Sequence, residues 1–248
     1  MDEILRFDNV SLGYGRGKVL SKVSCKVFPG EIVGLVGPNG SGKTTFLKAA
    51  LGILRPKSGT VWTDLTHGLA YVPQAEEINP YLPLTIEETV NLINRSRHFM
   101  GRLTREEKKS AKEAMQSSGI LPLADRLLGE VSGGQRQRAI LAQAIAQRPK
   151  VLLMDEPTKG LDVAAERELI GLITHLKIKD NLTLLLATHN LALPLNFADK
   201  VFLFHQGALI VSNPKELVKT KKLEEIYGIP FVNHDAHGLM WIAPARNL

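Results

Sequence analysis

Apolar and polar residues alternate along 4–10 and again along 19–28, a period of two that predicts half-buried strands. Pro29-Gly30 then reads as a turn. Residues 31–36 form a short apolar strand that runs into a glycine-rich loop, and 44–54 carry the period of a helix with one buried face. Two more strands are predicted at 60–63 and 69–73, with a short join at 64–68.

From about Gln74 the pattern changes. Thr85 with Glu88 and Thr104 with Glu107 are capping boxes, so helices are predicted at 86–97 and 105–118, the second stopped by Gly119. Beyond Pro149 strands and helices alternate. Residues 151–154 and 182–187 are continuous apolar runs suited to parallel strands buried on both faces. Residues 164–177 read as a helix, and 201–204 with 208–211 as a hairpin around Gln206-Gly207. Pro214 suits the first turn of a helix capped by Asn213. The chain is thus α/β, with a mostly helical insertion in a strand-rich core.

Composition changes this picture little. Of 248 residues, 44% are hydrophobic and 23% charged, which excludes a disordered chain. The apolar run at 182–187 is strand-sized, far short of a membrane helix. Acids follow Met1 where a signal peptide carries bases, and Cys25 has no second cysteine, so a cytosolic chain is expected. The net charge of +6 is spread out. Arg102, Arg105, Lys108, Lys109 and Lys112 are interleaved with Glu106, Glu107 and Glu113, the pattern of a solvated helix face. Aromatics are only 6%, and no alternation of bases and aromatics suggests a nucleic-acid groove.

The strongest chemical signal is Gly37-Pro38-Asn39-Gly40-Ser41-Gly42-Lys43-Thr44, a phosphate-loop pattern between an apolar strand and a helix. Glycines let backbone N–H groups turn onto phosphate oxygens, and the helix directs its positive end to the same place. Lys43 is expected to reach the β- and γ-phosphates, and Thr44 to ligate Mg2+. A glycine-rich turn with a chance lysine is the bland alternative, and the flanking elements argue against it. Asp155 ends a buried strand, where α/β sheets hold ligands, and suits Mg2+. Glu156 follows, placed to orient or deprotonate an attacking water. Ser132 caps a helix whose first residues are Gly133 and Gly134, followed by Gln135, leaving an open anion site; alone, this is an ordinary helix start.

A phosphate loop, Gln74, Ser-Gly-Gly-Gln, Asp-Glu and His189, in this order, resemble an ATP-binding cassette (ABC) ATPase over most of the chain. The resemblance implies a phosphate-loop core with a mainly parallel sheet, an N-terminal antiparallel β subdomain and an inserted helical subdomain. Residues 1–248 are then one domain: core and β subdomain at about 1–73 and 150–218, helical subdomain at about 74–149, and a C-terminal extension at 219–248. It implies that Gln74 touches Mg2+ and the water, and that His189 contacts the γ-phosphate. Ser132, Gly133, Gly134 and Gln135 bind the ATP held by a second copy of the chain. Asp162 lies in the loop that crosses between copies, Tyr14 stacks on adenine, and Thr45 completes the phosphate-loop contacts. Val131, Asn190 and Lys159-Gly160 depart from the usual family residues, and Asn190 bears on how His189 is held.

The chain has a single phosphate loop. As one engine subunit it is expected to work with a second copy, with integral membrane permease subunits and with an extracytoplasmic substrate-binding protein, at the cytoplasmic face of the inner or plasma membrane. The short link between 59–62 and 69–74, the segment 81–85 and the ending 223–228 resemble zinc and manganese importers. Iron-chelate or cobalamin importers and lipid or drug exporters are the alternatives, followed by a soluble ABC ATPase on nucleic acid. Of Tyr81, Leu82, Leu84 and Ile86, part is expected to form a groove for a permease helix and the rest to pack the insertion against the core. His234 and His237, three apart, read as solvated rather than as a metal pair.

Overall fold

The computed structural model describes residues 2–64, 68–74, 77–79, 81–236 and 239–244, with side chains as far as Phe231. Part of the predicted 64–68 join, Pro80 and His237 lie outside them. The chain divides into two compact units, Met1–Asp64 with Thr183–Leu248, and Leu65–Leu182.

In the first unit β1 (Leu5–Leu12) is the middle strand of an antiparallel sheet, between β2 (Leu20–Val27) and β4 (Ser58–Thr63). β3 (Ile32–Val36) is buried at every position and pairs in parallel with β7 (Thr183–Ala187) and β8 (Lys200–His205). This is why its sequence is apolar without alternation. β9 (Ala208–Ser212) returns antiparallel to β8. Gln206 (φ 46°) and Gly207 (φ 78°) both take the left-handed backbone that a two-residue hairpin needs. Helix α1 (Lys43–Ala50) joins the two layers through Phe46. Its ring stacks on Phe7 of β1 at 4.2 Å and meets Phe202 and Phe204 of β8 edge-on at 5.9 and 5.5 Å. Truncating Phe46 to Ala should cost about 3–5 kcal/mol.

The predicted helix at 44–54 stops earlier, at Ala50. Gly52 takes φ 73°, and the Ile53 amide folds back to the Lys48 carbonyl, closing the end in a left-handed cap. Elements the pattern does not predict are α6 (Ala192–Phe197), α8 (Lys222–Tyr227) and the hairpin of β10 (Phe231–Ala236) with β11 (Leu239–Pro244). α7 (Pro214–Lys219) is as predicted, with Asn213 Oδ1 accepting from the Lys215 amide at 2.9 Å. The helices after β7 bury Leu191, Leu195, Leu217, Leu223 and Ile226 against Val36, Val201 and Leu203.

In the second unit β5 (Leu69–Val72) pairs in parallel with β6 (Val151–Asp155). Helices α2 (Ile86–Ser96), α3 (Arg105–Ser117) and α4 (Gly133–Ala146) pack on one another around Ile86, Val90, Met115, Ile140 and Leu141. The capping boxes at Thr85 and Thr104 are both formed. Gly119, at φ 68°, closes α3 as predicted. α5 (Val163–Asp180) is longer than predicted and stops where Asn181 turns left-handed.

Candidate active site

The phosphate loop lies in the first unit, directly after β3. Gly37, Gly40 and Gly42 all have positive φ. A Cβ on Gly37 would sit 2.5 Å from the Phe204 carbonyl, so only glycine lets the chain turn there. Gly42 is the N-cap of α1 and offers no side chain to its first amides, and no acid occupies its first turn. The positive end of α1 is therefore open. Lys43 is buried, and its Nζ curls back to donate to the carbonyls of Gly37 (2.7 Å) and Pro38 (3.2 Å). Those bonds hold the ammonium over the loop. The Ser41 hydroxyl is buried without a hydrogen-bond partner among the described residues. Asn39 and Gly40 are exposed, Thr44 is half-buried and Thr45 is buried.

β7 is the parallel neighbour of β3, with Ala187 opposite Leu35, so His189 leaves the same sheet edge as the loop. The Thr188 amide donates to Leu35 O at 3.1 Å. Thr188 Oγ1 in turn accepts from the Asn190 amide, and Asn190 Oδ1 accepts from the Ala192 amide at 3.1 Å. Asn190 thus serves the turn after His189, a task its amide oxygen performs without a charge. His189 itself is exposed. Tyr14 is 53% exposed in the turn between β1 and β2, its carbonyl accepting from Gly17.

In the second unit Val72 of β5 pairs with Met154 of β6, so Gln74 and the Asp155-Glu156 pair leave one edge together. Asp155 is wholly buried, and neither carboxylate oxygen has a hydrogen-bond partner among the described residues. Burial, then the charge of Asp155 and that of Glu77, push the Tyr71 hydroxyl above its ordinary range. Tyr71 thus faces the same carboxylate, a neighbour that sequence patterns do not single out. Glu156 is nearly buried and has φ 49°, a conformation that costs a non-glycine residue about 1–3 kcal/mol.

Ser132 is exposed, and its Oγ accepts from the Gln135 amide while Gln135 Oε1 accepts from the Ser132 amide. With Gly133 and Gly134 and no acid in the first turn, the start of α4 presents open amides. Asp162 Oδ1 accepts from the Ala165 amide at 2.8 Å, so this carboxylate caps α5. The two helix starts meet, since a Cβ on Gly134 would lie 3.4 Å from Leu161 Cδ2.

Residues 20–159 match the ABC transporter family. The chain is 33% identical over 227 residues to a zinc import ATP-binding protein of Pseudomonas savastanoi pv. phaseolicola, covering 92% of this chain and 82% of that one. It is 35% identical over 231 residues to a manganese transport system ATP-binding protein of Synechocystis, covering 89% and 88%. An inward-facing structure described as a metal-chelate type ABC transporter shares the fold, with a TM-score of 0.89 over 99% of both chains at 23% identity. An ATP-binding cassette solved in its ADP conformation gives a TM-score of 0.79 at 26% identity, covering 92% of this chain and 99% of that one. An open phosphate loop, an Asp-Glu strand end and these likenesses agree: the chain belongs to the ABC transporter family and is one of its ATP-binding, ATP-hydrolysing subunits.

Proposed function

We propose that this chain powers the import of zinc or manganese through separate membrane permease subunits. The observation that carries the reading is the likeness, along nine-tenths of the chain, to proteins named for zinc import and for manganese transport. The chain works as a pair of copies at the cytoplasmic face of the membrane, fed by an extracytoplasmic binding protein. No helix among the described residues is long and apolar enough to cross a membrane, which is consistent with permeases on other chains. Residues 74–149 act as the helical subdomain between core segments 1–73 and 150–218, and 219–248 as an extension. Tyr81, almost wholly exposed, and Leu82 are left to contact a permease; Ile86 is fully buried and packs the helical core instead.

In this reading Tyr14 stacks on adenine, and the amides of 37–45 with the Lys43 ammonium bind the phosphates. Mg2+ fits the donor set. Asp155 holds two buried oxygens that no donor among the described residues satisfies, a costly arrangement unless a cation faces them. Thr44, Asp155 and Gln74 would hold the ion, which when bound offsets charge on the phosphates. Glu156 takes the proton of the attacking water, and His189 steadies the γ-phosphate. Each ATP is closed from the other copy by the start of α4, Ser132 to Gln135, beside the Asp162 loop. Association then depends on ATP, and hydrolysis releases it.

Glu156→Gln tests the base. Its carbonyl still holds water but cannot accept the proton. Hydrolysis should fall about 100- to 10,000-fold with ATP binding kept. Size-exclusion chromatography with ATP should show a trapped dimer. A variant that turns over near the wild-type rate removes Glu156 from the mechanism. Deletion of the gene should impair growth under metal chelation, with rescue by added zinc or manganese. Normal growth there, with a lipid or drug export defect, excludes the importer reading.

A further inference from the structure

The turn between α2 and α3 carries a surface that the ATPase chemistry does not use. Phe99 is fully exposed and Met100 is 72% exposed, side by side at the tip of the turn. Along the same stretch of chain the side chains of Arg95, Arg97, Arg102, Arg105 and Lys108 are exposed as well. The acids that interleave this stretch mostly have partners other than its arginines. Glu107 closes the capping box of α3 and takes the His98 imidazole at 2.9 Å, and Glu113 pairs with Lys109 and Arg148. Glu106 remains as the nearby counter-charge. Arg95, Arg102 and Arg105 have no ion-pair partner among the described residues, while Arg97 donates to Gln147 Oε1.

Two adjacent bare apolar side chains flanked along the chain by exposed arginines match one kind of partner. An apolar tip gains nothing from water and enters the acyl boundary of a bilayer, while guanidinium groups meet phosphate oxygens at the headgroup level. A protein groove would bury the apolar pair but leave this excess of positive charge to be matched by acids. We propose that the turn at residues 97–102 seats on an anionic lipid surface, inserting Phe99 and Met100 between headgroups held by Arg95, Arg102 and Arg105. The contact needs no permease and no transported ion, so it stands or falls apart from the importer reading.

Flotation of the purified chain with vesicles tests it. The chain should float with phosphatidylcholine vesicles containing phosphatidylglycerol, remain behind with phosphatidylcholine alone, and lose binding as salt rises. R95Q/R102Q/R105Q should weaken partition about 100-fold at low salt, roughly fivefold per base. F99S/M100S should weaken it about tenfold with ATP hydrolysis in solution unchanged. K215Q/K219Q/K222Q removes the same charge elsewhere and should change partition far less. Phe99→Trp should give an emission blue shift with anionic vesicles that the wild-type chain lacks. Flotation of both turn variants like wild type, an equal loss in the lysine control, or no shift for Phe99→Trp overturns the proposal. Loss of permease co-purification by F99S/M100S with flotation intact also overturns it, assigning the surface to a protein.

Discussion

Four helix starts of this chain form two pairs that differ in charge. α2 and α3 open with a capping Thr and a Glu at the third position, and a second Glu stands in each first turn. α4 opens with the same reciprocal box, but a Gln replaces the Glu, two glycines precede it and no acid is present. α1 has no side-chain cap and no acid at all. In α2 and α3 the positive helix end is neutralised by the chain itself. In α1 and α4 it is left for an outside anion. Local stability would favour acids at all of these starts. Their absence where the phosphates of ATP are proposed to bind marks a place where ligand binding, rather than folding, sets the residue choice.

The largest effect on this contrast should come from Lys43→Ala. At the open end of α1 the ammonium is the one full positive charge that the phosphate loop itself carries. Its loss should weaken ATP binding about 100-fold, the equivalent of about 3 kcal/mol for a truncated charge pair. The buried Gly37 carbonyl and the Pro38 carbonyl lose a donor, so unfolding should shift by about 1–3 kcal/mol. Nucleotide titration beside a urea melt separates the two. Unchanged affinity would mean that the open start of α1 is not the phosphate site.

Gln135→Glu gives α4 the charge of α2 and α3 while keeping its capping box. Thermal stability should hold or rise slightly, because a Glu suits the helix dipole by about 0.3–1 kcal/mol. Hydrolysis should nevertheless drop about tenfold, since in the proposed pairing of two copies the new charge would face the γ-phosphate of the partner's ATP. The mirror change, Glu88→Gln in α2, should cost a similar small stability and leave hydrolysis alone. If Gln135→Glu hydrolyses ATP as fast as wild type, the missing acid in α4 carries no functional meaning.

The contrast was partly legible in the sequence. Thr85, Thr104 and Ser132 announce their helices because a cap is a local bargain between one side chain and the next three amides. The strands were legible for a similar reason, since β3, β6 and β7 are buried on both faces and read as unbroken apolar runs. α6 was not legible. It has Pro194 inside and no side-chain cap, and it is held by Leu191 and Leu195 packing on β3 and β8, contacts distant in sequence. The end of α1 was missed because Lys48 and Ile53 suit a helix and only the backbone at Gly52 stops it. At the site, residue types were readable but states were not. The bare oxygens of Asp155, the left-handed Glu156 and the folded-back Lys43 amine depend on tertiary surroundings that no spacing encodes.

The smallest effect concerns pH and the charged box itself. The Thr104 amide first, then the His98 imidazole, hold the Glu107 carboxyl below its ordinary value. A carboxylate with a lowered folded pKa contributes stability that is fully present above its unfolded pKa of about 4.3 and is lost as pH falls through the folded value. Gln135 in α4 makes the matching bond to the Ser132 amide at 3.0 Å but carries no titrating proton. Glu107→Gln should therefore be less stable than wild type at pH 7 by a small margin, and the margin should shrink once pH drops below about 4.3. Ser132→Ala should cost about 1 kcal/mol at both pH values. Urea midpoints for the three proteins at neutral and acid pH decide the matter. A Glu107→Gln margin that stays constant or widens in acid would show that hydrogen bonding alone, without charge, holds the start of α3, and the division of the helix starts by charge would lose its energetic basis.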